Sequence, residues 1–165
     1  MPNQIAAAVQ IGFGALLLGT ALFNAHQNWS KYGGGAPKSP LYGIWNVDEM
    51  SIDGVVRSPL LTDYGRWRRV VFDFPQWMMC QRGDDSFGRF GVTFDPKRWR
   101  LALSSPSDQK WKGRLSVQRE RADRMTLEGQ LGEHTTRMQL SLVDRKKFLL
   151  VNRGFHWIQD YPFNR

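Results

Sequence analysis

Cysteine is almost absent from this chain, Cys80 being the only one among 165 residues. A lone thiol excludes an intramolecular disulfide and a dithiol redox pair, and it argues against a small secreted module built on cross-links. Histidine is nearly as scarce. His26, His134 and His156 stand far apart, and no i, i+4 or C-x-x-C spacing is present, so no metal site is expected. Ser104-Ser105 lacks a G-x-S-x-G setting for nucleophilic use, and no glycine-rich phosphate loop leads from a strand into a helix. Asp84 and Asp85 are adjacent carboxylates beside Gly83. Neighbours in a strand point to opposite faces and a glycine turn is the natural setting here, so paired acid–base chemistry is not expected. The chain is therefore read as a non-enzyme without a cofactor.

The second absence is charge. Residues 5–23, IAAAVQIGFGALLLGTALF, carry none. At 1.5 Å per residue they make a helix of about 29 Å, close to the roughly 30 Å hydrocarbon core of a bilayer. The expected division is a transmembrane helix within residues 1–29, a linker over 30–40 and a domain over 41–165. Ala8, Gly12, Ala15 and Gly19 recur at i, i+4, i+7, i+11, placing four small side chains on one helix face. Such a face suits close packing against another transmembrane helix or membrane subunit, and Gln10 and Thr20 offer hydrogen bonds to it. Two rival arrangements stay open. Gly19-Thr20-Ala21 is a small-residue cleavage site for a signal peptide, although residues 1–4 lack the basic n-region. The segment also fits as the last span of a longer polytopic protein.

Residues 30–40, SKYGGGAPKSP, contain three consecutive glycines and two prolines and read as a linker. Trp29 and Tyr32 are interfacial aromatics, and Lys31 suits a head-group position. Lys31 and Lys38 follow the apolar segment while no basic residue precedes it, which favours a cytoplasmic β domain by the positive-inside rule; the free Cys80 thiol points the same way.

From residue 41 the apolar period changes from helical to two. Strands are expected over 42–52, 68–74, 76–82 and 87–95, then around Leu101–Leu103, Leu115–Val117, Met125–Leu131 and Met138–Leu142, with a last one over 148–153. Asp53-Gly54 is a tight-turn dipeptide, Asp95-Pro96 ends a strand, and residues 60–67 break the alternation as a short helix or lid. Eight or nine short strands with tight connections imply an antiparallel meander. Closing it into a barrel of about eight strands removes its edges. An all-β barrel preceded by one membrane helix is the expected architecture. Trp45, Phe72, Phe90, Phe94, Leu127 and Leu140 form the expected inward row, and Trp99 heads the row of Leu101 and Leu103. His156, between Phe155 and Trp157, is a candidate pocket-lining imidazole or a hydrogen-bonded structural one.

Gly43-Ile44-Trp45 in the first strand resembles the G-x-W signature of lipocalin-like barrels, and Arg153 stands where that family has a basic residue packed across the tryptophan. The resemblance covers residues 41–159 and implies a Trp45–Arg153 contact at the closed end. The chain departs from it in lacking a clear helix after the last strands and the frequent disulfides. Over its whole length, the apolar helix, Trp29-Ser30-Lys31-Tyr32-Gly33, LYGIW and the closing YPFNR resemble the carboxy-terminal part of bacterial DoxX-like integral membrane proteins. That family carries a multi-helix membrane domain ahead of such a tail.

Net charge is +8, with the basic residues dispersed along the chain. Seven tryptophans accompany them, six after residue 40, several between arginines as in Arg66-Trp67-Arg68-Arg69. Stacking on nucleic acid uses such residues, but no RNP-like motif is present and a membrane helix is a poor companion for it, so nucleic acid is not the expected partner. The expected partners are the lipid bilayer, a membrane subunit and a small apolar ligand inside the barrel. A barrel filled by its own side chains is the alternative, separated from the first by whether the inward row leaves roughly 300 Å³ or more.

Overall fold

The computed structural model describes residues 2–60 and 62–148, and the chain divides into two units, Met1–Lys38 and Ser39–Arg165. Arg153, His156 and Trp157 lie outside the described residues.

The first unit is one helix, α1, Pro2–Tyr32. It opens on a proline, whose missing N–H costs nothing in the first turn. Ile5, Val9, Ile11, Phe13, Leu16, Leu17, Leu18, Leu22 and Phe23 are all more than half exposed. It is the one helix, among the described residues, long and apolar enough to cross a membrane. The helix outlasts its apolar segment and takes up residues 30–32 of the expected linker. Its end is fixed by Trp29, whose carbonyl accepts from Gly33 N at 3.1 Å and Gly35 N at 3.3 Å. The indole then lies against the glycine turn so closely that a Cβ at Gly35 would come within 2.5 Å of Cζ3. On the small-residue face, a Cβ at Gly12 or Gly19 would meet nothing within 4 Å. Thr20 does not offer its hydroxyl outward, because Oγ1 donates to its own helix at Leu16 O (3.0 Å) and Leu17 O (2.9 Å).

The second unit is a closed antiparallel barrel. Its strands are β1 (Gly43–Ile52), β2 (Val55–Val56), β3 (Trp67–Phe72), β4 (Trp77–Arg82), β5 (Phe87–Asp95), β6 (Arg100–Ser104), β7 (Lys112–Arg121), β8 (Arg124–Leu131) and β9 (His134–Leu142). Each barrel strand pairs with the next, and β1 pairs with β9 from Trp45↔Leu142 to Ile52↔Thr136, closing eight strands. The two-residue β2 folds back on β1 outside the ring through Asp53 (φ 51°) and Gly54 (φ 80°), the doubly left-handed conformation that an Asp-Gly pair adopts readily. The barrel closes at β9, a short 3₁₀ turn, Arg145–Lys147, follows, and the expected strand over 148–153 lies, beyond Phe148, outside the described residues.

The interior is side chain. Trp45, Phe72, Leu127 and Leu140 are at most 2% exposed, Phe90 is buried at 9%, and Phe94 is half-buried against them. Met50, Met78, Met125 and Met138, unbranched and able to fill irregular gaps, are at most 1% exposed. Tryptophan use is uneven. Trp45 and Trp67 are in the core, Trp111 packs against it, and Trp77 faces outward beneath the Arg89 guanidinium at 4.0 Å. Trp99 departs from the expected row. It precedes β6 with φ 49°, 43% exposed, and meets Phe94 edge-on at 5.8 Å. The left-handed residue breaks the alternation, so parity counted back from Leu101 no longer holds.

Candidate functional site: the barrel mouth

The ends of β1, β4, β8 and β9, the loop over 57–66 and the loop between β6 and β7 surround a cavity of about 750 Å³ at one end of the barrel. Its apolar wall is Met50, Ile52, Trp67, Phe90, Trp111 and Leu131. Phe90 bridges the two tryptophan rings of this wall: Trp67 and Phe90 stack at 5.5 Å, and Phe90 meets Trp111 at 4.9 Å. Alternation alone turns Phe90 inward in β5, whereas Met50 and Trp67 face inward because a bulge in β1 and another in β3 shift the parity of those strands. Deeper in, Val70, Cys80, Leu127 and Met138 are fully buried and close the barrel.

The loop over 57–66 is held by an arginine. Arg66 is 6% exposed, and its guanidinium donates to Arg57 O (3.1 Å), Val47 O (3.3 Å) and, at longer range, Asp48 O (3.5 Å). Those last two carbonyls belong to the bulge between Val47 and Glu49 in β1. A bulge frees ladder acceptors, and the arginine satisfies them. Asp63 ties the same loop through Gly65 N at 3.0 Å and Arg57 at 3.5 Å.

On the facing side, Asp53 accepts from Thr135 N at 2.8 Å and contacts His134 Nδ1 at 2.6 Å. The His134 hydrogen bond, then the Thr135 amide, hold the Asp53 carboxyl below the ordinary aspartate range. A depressed carboxyl contributes stability above its unfolded value and loses it as pH falls through the folded one. Asp53→Asn, which keeps the left-handed turn, should therefore melt below wild type at pH 6, and the gap should close as pH drops through the acidic carboxylate range. A gap independent of pH in thermal melts would remove this ionic account.

Arg82 brings a permanent positive charge to the inner face of β4. It follows Met78 and Cys80 on the same face of β4, pairs with Trp67, and lines the cavity. Gly88 makes room for it: a Cβ there would sit 2.8 Å from Cys80 Sγ and 3.2 Å from Arg82 Nη2. Burial pushes the Cys80 thiol up, which leaves it a packing residue rather than a nucleophile.

The adjacent carboxylates of the β4–β5 turn are structural ties. Asp84 accepts from Ser86 N and Oγ at 3.1 and 2.7 Å, while Asp85 accepts from Arg68 and Gln81, both at 2.8 Å. Among the described residues no three histidine, cysteine or acidic side chains come together in a way that would hold a metal ion.

Of the sequence-derived inward row, Phe90 lines the mouth, while Phe72 lines a second hollow of about 700 Å³ at the other end, bordered by Phe148, where the described residues stop. Trp45, Leu127 and Leu140 line neither. Trp45 Nε1 instead donates to Leu41 O at 2.9 Å. The Trp45–Arg153 pair and the His156 site fall outside the described residues. Arg82, Arg66 and the Asp53–His134 pair were missed by sequence reasoning. For Arg82 a signal existed, because the alternation Met78, Cys80, Arg82 already sets it on the inner face. No protein-family model, curated protein or solved structure matches this chain.

Proposed function

We propose that this chain is a membrane-anchored β-barrel domain that binds a small apolar ligand at the barrel mouth. The observation that carries the reading is the cavity of about 750 Å³ walled by Met50, Ile52, Trp67, Phe90, Trp111 and Leu131, within the roughly 300–1,000 Å³ range of small-molecule sites. The ligand sits at the mouth and not along the barrel axis, because the deeper side chains already fill that space. Lipocalin-like and DoxX-like character remain part of the proposal, resting on Gly43-Ile44-Trp45 and on the order of helix, linker and barrel. A cytoplasmic barrel rests on Lys31 and Lys38; labelling of a cysteine placed at Gly34 in a Cys80→Ser background by an impermeant maleimide in intact cells would overturn it.

The test uses methionine methyl resonances in the full chain, held in mild non-ionic micelles and titrated with 2-naphthamide as an uncharged probe. Met50 lines the mouth, whereas Met125 is buried beside Leu140 and Met79 faces outward. Met50 should shift with saturation while Met125 and Met79 stay in place. Shifts at Met125 without Met50, or no shift at all, would reject the mouth as the site.

A second reading has its own support. The near-complete burial of Trp45, Phe72, Leu127 and Leu140 suits a barrel filled by its own side chains, serving as the accessory domain of a membrane complex through the open Gly12 and Gly19 face of α1.

A further inference from the structure

We infer that the mouth selects an anion: a compact organic molecule whose carboxylate pairs with Arg82 while a ring-sized apolar body lies against Trp67, Phe90 and Trp111. This deepens the mouth-binding reading and rests on it.

No carboxylate among the described residues is seated against Arg82. Arg82 is half-buried on the inner face of β4, and the hydrogen bond of its side chain runs from Nη1 to Ser86 Oγ, a long 3.4 Å. Among the described residues no carboxylate lies within 4 Å of it. The acidic groups around the mouth are engaged elsewhere. Asp53 holds His134 and Thr135 N, Asp63 holds Arg57 and Gly65 N, and Asp108 caps its own turn at Lys110 N (2.9 Å). Asp85 is taken by Arg68 and Gln81, and Asp84, which accepts from Ser86, feels the Arg82 charge only from beyond ion-pair distance. A half-buried guanidinium beside an aromatic wall, with only a distant counter-charge, keeps donors free for a ligand, and a planar carboxylate matches its fork in two parallel hydrogen bonds. The neighbouring aromatic wall then sets the other half of the ligand. Its body is short, because Cys80 and Met138 close the barrel beneath, and a ring offers more contact than an extended chain against three aromatic side chains.

The comparison that isolates the charge is 2-naphthoate against 2-naphthamide, titrated calorimetrically into the full chain in mild non-ionic micelles with empty micelles subtracted. The naphthoate should bind about tenfold more tightly than the amide, in line with a charge-assisted pair. Arg82→Gln should abolish the difference between the two compounds. If that variant loses its cooperative melt, Arg82→Lys serves: it keeps the charge, loses the fork, and should shrink the naphthoate-over-amide preference several-fold. Equal affinities in the wild type, or a preference that survives at full strength in the folded variant, overturn the anion site alone. Failure of both compounds to bind overturns the mouth reading with it.

Discussion

Trp45→Ala should lower the unfolding free energy by about 3 to 5 kcal/mol, the range for deleting a large buried aromatic ring. Trp45 is 1% exposed, sits in β1 between its partners in β3 and β9, and donates from Nε1 to Leu41 O. The substitution therefore removes packing at the seam where the barrel closes and leaves a carbonyl without its donor. Trp45→Phe keeps most of the ring volume and should recover the larger part of the loss. Urea melts of the full chain in mild micelles, followed by far-ultraviolet circular dichroism, check both. A Trp45→Ala midpoint equal to wild type would mean that the seam does not depend on this side chain.

Arg66→Ala should cost about 3 kcal/mol, because it strips donors from the bulge carbonyls of β1 and unpins the loop over 57–66. Arg68→Ala, two residues away, should cost under about 1 kcal/mol. Arg68 is 46% exposed and pairs with Asp85, 64% exposed, and an ion pair in water is worth little. The contrast separates burial from charge: both residues are arginines with short contacts, and only one has taken backbone acceptors out of solvent. Equal losses in the same melts would contradict it. Arg66→Lys should recover only part, since an ammonium cannot span three carbonyls with a fixed fork.

The barrel was legible because its strands keep a period of two over most of their length, interrupted by bulges in β1, β3 and β7. Phe90, Val92 and Phe94, or Leu101 and Leu103, show it without any structure, and Asp53-Gly54 marked its turn. Trp99 broke the reading, since one left-handed residue reverses parity and no neighbour announces it. The mouth was less legible for a different reason. It is assembled from Arg82, Trp67, Phe90, Trp111 and Leu131, which belong to separate strands and loops, and only the closure of β1 on β9 sets one wall across from another. Arg66 was hidden by its neighbours: in the run from Arg66 to Arg69, nothing local distinguishes the buried arginine from the exposed ones. The wall could be read as apolar, but not that its acidic surroundings would all be occupied by other partners.

The β1–β9 seam also dictates an order of assembly. Trp45 and Leu142 are 97 residues apart in the chain, whereas every other barrel strand pairs with a neighbour in sequence, so the seam carries the largest loop-closure cost and should form last. At a ribosome adding about 5 to 20 residues per second, β1 has left the tunnel seconds before its partner is made. During that interval its inner edge stands open, with Trp45, Val47 and Met50 uncovered on one side. The nascent chain is thus most vulnerable to sticking to a second copy of itself between the synthesis of its first strand and its last.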